Sequence, residues 1–305
     1  MYISRGFDPN DGDYVAIFDT SGQPTNVWRV STHAMPSGGS DYCQMRGAIL
    51  TPSRVWFGAN AEGEHPIRAY YVDAPLADIG SMAAPIAEMH DSQLNTASDD
   101  AMALQQVGGI VTMVYDRVDG TTDVLGGASG PTLNIPMAYP VNQSAIFVQA
   151  PDLIHWQGAI WNHATHATEP LIVPPAGQAV LSLRSDGQTL VWWQAPVSTD
   201  GEGINPAGDL WVAPFATSKS GVVARKLRTG GPQVSVDQGV AGSGYYAVLG
   251  RDNNVHVYRL SDGHHWAFAP PPPIYEFYYV DETYVVLATT DGIIRQEIAA
   301  LGAGD

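Results

Sequence analysis

Along this chain, short apolar runs of strand length alternate with polar turns, and one phrase keeps returning. "FDPNDGDYVAIF" (Phe7–Phe18), "ILTPSRVWFG" (Ile49–Gly58), "LRSDGQTLVWW" (Leu183–Trp193) and "YVDETYVVLA" (Tyr279–Ala288) share it. Each sets apolar residues, then a polar turn, then β-branched and aromatic residues, which reads as two strands joined by a hairpin. The β-rich runs begin near Tyr14, Arg54, Ile110, Ala145, Thr189, Tyr245 and Tyr284, so the period is about 40 residues with some insertions. A small sheet apolar on both faces cannot bury them alone, and such units must stack. The pattern predicts an all-β chain forming a single β-propeller over residues 1–305, with seven blades of antiparallel strands. Six or eight blades also fit the uneven spacing.

One unit can be read in full. "AVLSLRSDG" (Ala179–Gly187) gives the innermost strand and its turn, and "QTLVWWQA" (Gln188–Ala195) the second strand. "DLWVAPFAT" (Asp209–Thr217) gives the third, and "GVVARKLRT" (Gly221–Thr229) the outer one. "RDNN" and "SDGH", between Gly244 and Phe268, are turns rich in residues that tolerate the left-handed conformation. "TTDG" marks a further hairpin before the chain reaches "GAGD", and the last unit lacks an evident fourth strand. One stretch breaks the rhythm. Asp78–Gln106 is long and polar, and it reads as an insertion with one helical turn around "APIAEMH".

The unit Ala179–Thr229 resembles the repeat of TolB-type propellers, in which a Ser-Pro-Asp-Gly-like turn precedes an apolar strand and a later strand reads "LWV". "RSDG" with "DLWVAPFATSKSGVVARKL" carries the resemblance, and "FDPNDGDYVAIF" with "NVWRV" repeats it. It covers about a third of the chain. The remaining units match only in rhythm.

Composition narrows the partners. With 31 acidic and 14 basic residues the net charge is −17, and Lys219 and Lys226 are the only lysines. Such a chain is repelled by nucleic acid and by anionic membrane surfaces. Charged residues make up 15%, against 32 Gly and 22 Pro, which suits many short strands and tight turns. Cys43 is the single cysteine, so neither an intrachain disulfide nor a thiolate cluster can form. No apolar stretch approaches the 18 or so residues of a membrane span. With Met1 as the native start, the sequence predicts a cytoplasmic protein, and otherwise a periplasmic or secreted one.

The chemistry is sparse. There is no G-x-S-x-G elbow, Walker loop or dinucleotide fingerprint. If the strand phase is right, one loop-rich face gathers Glu62, Glu64, His65, His90, Asp91, His155, Trp156, Asp200 and Glu202. Such a set suits a polar ligand such as a saccharide, or a divalent cation. "NHATHATEP" spaces His163, His166 and Glu169 three apart, imidazole and carboxylate donors of the kind that bind transition metals. "APDLIHWQ" resembles a phrase of five-bladed propeller glycosidases, and "FDP" resembles their early Asp-Pro. That resemblance implies Asp8 as base, with Glu62, Glu169 or Glu202 as acid. The expected function is a non-enzymatic recognition or scaffold module that requires no cofactor and binds a protein partner or a polar ligand. A carbohydrate-active hydrolase or lyase is the alternative.

Overall fold

The computed structural model describes residues 2–8, 12–18, 24–30, 43–51, 53–61, 68–75, 87–90, 92–106, 112–126, 138–150, 156–197, 207–234, 239–271, 274–289 and 292–305. They form seven antiparallel sheets in sequence order. The first has three strands, β1 (Tyr2–Asp8), β2 (Gly12–Phe18) and β3 (Pro24–Val30). The second has β4 (Cys43–Leu50), β5 (Arg54–Ala61), β6 (Arg68–Pro75) and β7 (Ala87–His90). The third has β8 (Ser92–Ala97), β9 (Ala101–Gln106), β10 (Thr112–Asp116) and β11 (Thr122–Gly126). The fourth has β12 (Tyr139–Val141), β13 (Ser144–Gln149), β14 (Gln157–Asn162) and β15 (Ala167–Ile172). The fifth has β16 (Gln178–Ser185), β17 (Thr189–Pro196), β18 (Asp209–Pro214) and β19 (Arg225–Arg228). The sixth has β20 (Val240–Gly242), β21 (Tyr245–Leu249), β22 (Val255–Arg259) and β23 (His265–Phe268). The last has three strands, β24 (Ile274–Val280), β25 (Tyr284–Thr289) and β26 (Gly292–Glu297).

This is a β-propeller architecture, but among the described residues it has five complete four-stranded blades rather than seven. Among the described residues the first and last sheets have three strands each, which is why a count of β-rich runs exceeds the number of complete blades. Within Asp78–Gln106, the helical turn expected around "APIAEMH" is corrected. In place of a helical turn, its described residues are β7, β8 and β9, which end one blade and begin the next. Its polar character is compatible with strands because alternate positions of a strand can remain polar.

The chain divides into two compact units, Met1–Ala145 and Ile146–Asp305. In the first, Trp56, Met102, Leu104 and Tyr115 form a buried cluster. The Trp56 indole donates to Ser98 O at 2.8 Å, and its ring meets Tyr115 edge-on at 6.4 Å. The turn after β4 is tied to the turn before β9 through Asp99, whose carboxylate accepts from the Thr51 hydroxyl and from Ser53 N at 3.0 Å.

In the second unit, β17 shows why the sheets stack. Leu190, Val191, Trp192 and Trp193 are buried in succession, so both faces of the strand are covered. Trp193, Leu181, Val191, Leu210 and Val212 pack with Tyr246, Val248 and Tyr258 of the next sheet. That sheet in turn packs Ala247, Val255 and Val257 against Val280, Val285 and Leu287 of the last one. Arg184, buried in β16, reaches Gly239 O at 2.9 Å.

Candidate functional site

The repeated acids are turn residues first. Asp186 Oδ1 accepts from Gln188 N at 3.0 Å and Thr189 N at 2.7 Å. Asp281 Oδ1 accepts from Thr283 N and Tyr284 N, both at 2.7 Å. Asp252 does the same for Asn254 N at 3.1 Å, and Asp262 for His264 N at 3.1 Å. In the first unit Asp116 caps Val118 N at 2.8 Å and Asp119 caps Thr121 N at 2.9 Å. An aspartate at the head of a hairpin substitutes its carboxylate for a backbone acceptor and so closes the turn locally. Asp186 goes further, because its second oxygen accepts from Gly244 N at 2.9 Å and fastens one blade to the next.

The residues singled out from the sequence fall in several places. Asp8 ends β1, paired with Gly12 across the first hairpin, and His90 ends β7, paired with Arg68. Glu62, Glu64, His65, Asp91, His155, Asp200 and Glu202 lie outside the described residues. Trp156 is buried at the entry to β14, and its carbonyl accepts from Val180 N at 3.0 Å, which marks it as a packing residue. His163 and His166 are neighbours in the β14–β15 turn, with ring centroids 6.0 Å apart, and His166 adopts a positive φ of 50°. The His166 ring also meets Trp161 edge-on at 5.9 Å. Glu169 sits opposite Ile160, two residues along β15 from the Ala167 end of the hairpin, which places its backbone roughly 7 Å away from the turn.

A richer constellation lies between β19, β22, β23 and the segment that follows β26. His256 Nε2 faces Asp252 Oδ1 at 3.1 Å, and His256 Nδ1 faces His265 Nε2 at 3.0 Å. His265 Nδ1 faces Asp305 Oδ1 at 2.7 Å, and Arg228 Nη2 donates to Asp305 Oδ2 at 2.8 Å. The two imidazoles are nearly parallel at 8°, and Tyr258 stacks on His265 at 4.8 Å. Arg228, then His265, hold the Asp305 carboxyl down at about 2. Asp252 is also lowered: its hydrogen bonds to Asn254 and His256 outweigh the desolvation that is the largest single influence. Burial dominates at His265 and depresses it, partly countered by Asp305 and reinforced by Arg228 and His256.

Counting protons shows what this row can do. Its three links involving imidazole each need one N–H, and two neutral rings supply two. With neutral rings, one link therefore lacks its proton. The link to Asp252 is the one water can serve, since that side chain is 46% exposed. Sequence reasoning did not assemble this row. It missed Arg228, Asp252, His256 and Asp305, whose sole local signal was the i, i+4 spacing of Asp252 and His256.

Stacked four-stranded antiparallel sheets with Asp-headed turns define the class as a β-propeller. No protein-family model matches the chain, and no curated protein matches it in sequence. Among solved structures it is similar to KlAtg21 in a complex with the coiled-coil of AgAtg16, at 11% identity and a TM-score of 0.57, covering 98% of this chain and 95% of that one. It is also similar to a prolyl endopeptidase, at 15% identity and a TM-score of 0.53, covering 87% of this chain. The chain spans about two fifths of that enzyme's length, at 41%. TolB from Acinetobacter baumannii matches at 13% identity with a TM-score of 0.44, covering 83% of this chain and 58% of TolB. At these identities the similarity establishes the fold. Among the described residues, no helix is long and apolar enough to cross a membrane.

Proposed function

We propose that the chain is a non-enzymatic recognition propeller of the TolB-like kind, which holds a protein partner through its loop-rich face. The observation that supports this reading most directly is the employment of the aspartates. Asp186, Asp252, Asp262 and Asp281 each satisfy backbone donors of a turn, so they serve the fold rather than a reaction. An acid–base enzyme needs carboxylates left to converge on one pocket. The similarity to KlAtg21, matched over nearly its whole length and captured with a coiled-coil partner, agrees with the reading. The acidic surface favours a basic partner, with association that weakens as salt screens it. A divalent cation remains a ligand of this reading, with the His163–His166 turn as its seat.

The test is affinity capture on the purified chain at low and high salt, run beside hydrolysis assays on glycoside and peptide substrates. Recovery of one partner, lost at high salt and rebound by the isolated partner, is the expected result. Turnover of any substrate that Asp8→Asn abolishes would overturn the proposal in favour of the hydrolase reading.

A further inference from the structure

Residues 302–305, "GAGD", leave the last sheet and pair with the outer strand of the sheet before it. His265 N donates to Asp305 O at 2.8 Å, and Asp305 N donates to His265 O at 2.9 Å, the reciprocal pair of an antiparallel ladder. Side chains complete the seat. His264 Nε2 donates to Ala303 O at 2.5 Å, and Trp266 Nε1 donates to Gly302 O at 3.3 Å. The Asp305 carboxylate is gripped from both sides, by Arg228 at 2.8 Å and His265 at 2.7 Å. Arg228 also reaches Asp305 O at 3.4 Å.

The fit is specific in shape as well as charge. Gly302 and Gly304 have φ of 85° and 68°, conformations that favour glycine. A Cβ on Gly304 would lie 2.6 Å from both His264 Nε2 and His265 O and 2.9 Å from Trp266 Nε1, so only glycine passes there. The seat is also where a base-poor chain concentrates cations, since β19 reads Arg-Lys-Leu-Arg. Arg225 and Lys226 are engaged elsewhere, with Leu260 O and with Asp209, and Arg228 is aimed at the segment.

We propose that the notch of Arg228, His264, His265 and Trp266 is a binding site for a short acidic peptide of Gly-x-Gly-Asp type from a partner protein, occupied here in cis by residues 302–305. The peptide adds as a strand to β23, its carbonyls take the indole and imidazole donors, and its carboxylate takes Arg228 and His265. Residues 302–305 then act as a tethered competitor. This site is built from outer strands rather than from the loops of the recognition reading, and it stands or falls separately.

The experiment is fluorescence anisotropy with a labelled peptide of residues 298–305, titrated with the full chain. Wild type is compared with Gly304→Val and Asp305→Ala, two independent ways of loosening the internal segment, with folding checked by near-ultraviolet circular dichroism. A short tether gives the internal segment a millimolar effective concentration, so for an intrinsic Kd of about 0.1 mM or tighter, releasing it should tighten peptide binding by about tenfold or more. Adding Arg228→Gln to the Gly304→Val chain should then weaken binding by about three- to tenfold, as should a peptide with Asn in place of its Asp. Equal binding to wild type and both loosened variants overturns the proposal. So does no binding at about 1 mM peptide, or binding indifferent to Arg228. A wild-type dimer by light scattering, with the segments exchanged between copies, would replace the partner peptide with a second copy.

Discussion

Asp186→Ala tests the idea that the recurring acidic turn is a structural device. Its carboxylate serves three backbone donors. Those of Gln188 and Thr189 lie within its own turn, and that of Gly244 lies in the neighbouring blade. Gln188 N is exposed, so water replaces the lost oxygen there with little penalty. Thr189 N and Gly244 N are partly buried, and a hydrogen bond to a charged acceptor contributes about 1.5–3 kcal/mol net. Taking each of the two partly buried donors at or just below the low end of that range gives a loss of about 2–3 kcal/mol for Asp186→Ala. Asp186→Asn keeps one acceptor oxygen, enough for the turn or for Gly244 but not both, and should lose about half as much. Urea denaturation of the three proteins measures this, with the slope expected to stay constant and the midpoint to move. A loss below about 0.5 kcal/mol for the alanine variant would refute the reasoning. So would an asparagine variant as damaged as the alanine one, because the stabilisation would then not come from shared acceptance.

Trp193→Ala should cost about 3–5 kcal/mol, since a fully buried indole at the centre of the inter-blade cluster leaves a cavity. Trp193→Phe should cost clearly less, because the discarded indole N–H has no hydrogen-bond partner among the described residues. Parallel denaturation curves decide it, and equal losses would contradict the assignment. The histidine row sets a pH dependence: with His265 depressed below its ordinary 6.5, its contribution is present above that value and is lost as pH falls through the folded value. Asp305, held at about 2 against an ordinary 3.8, adds a second loss as pH falls from about 4 to about 2. The thermal midpoint should therefore fall on acidification, and His265→Gln should remove the upper step; a midpoint that rises between pH 7 and pH 5 refutes the sign. For the β14–β15 turn, Zn²⁺ or Ni²⁺ should raise the unfolding midpoint reversibly with EDTA, the stabilisation being about 2.7 kcal/mol at a hundredfold excess over Kd. His163→Ala should abolish that rise, and a rise that survives the substitution places the ion elsewhere.

The fold was legible wherever the information was local. "RSDG" announces its turn because the Asp186 carboxylate bonds donors two and three residues on, and β16 to β19 fall close to where the apolar pattern put them. The number of complete blades was less legible. A hairpin signal marks two strands and cannot report whether a third or fourth joins them, which is how the three-stranded sheets at β1–β3 and β24–β26 came to be counted as full blades. Ala87–Gln106 misled for a related reason: more than half of its residues are polar, and period 2 over only four to six residues is easily taken for a loop.

The site was legible only in fragments, and the reason is geometric. Asp252 and His256 are four apart and readable as a pair, but His265 comes from the next strand, Arg228 from the preceding blade and Asp305 from beyond the last sheet. Nothing in "SDGHHWAF" or "GAGD" alone points to the other, because what joins them is the return of the chain onto β23. That return also answers the missing fourth strand of the last unit. The residues after β26 do not complete their own sheet; they extend the edge of its neighbour, where Arg228 and His265 wait for a carboxylate. A strand edge that has selected glycines for shape and an aspartate for charge behaves as a binding site whether its occupant is covalently attached or not, and the net charge of −17 makes a cationic seat of this kind uncommon on this chain. The same surface economy that ties Asp186, Asp252, Asp262 and Asp281 to turns leaves Asp305 at its rim, held by an ion pair that is 67% exposed on the carboxylate side. Exposed pairs exchange easily with water and competing anions, so the segment is held firmly enough to be ordered and loosely enough to be displaced.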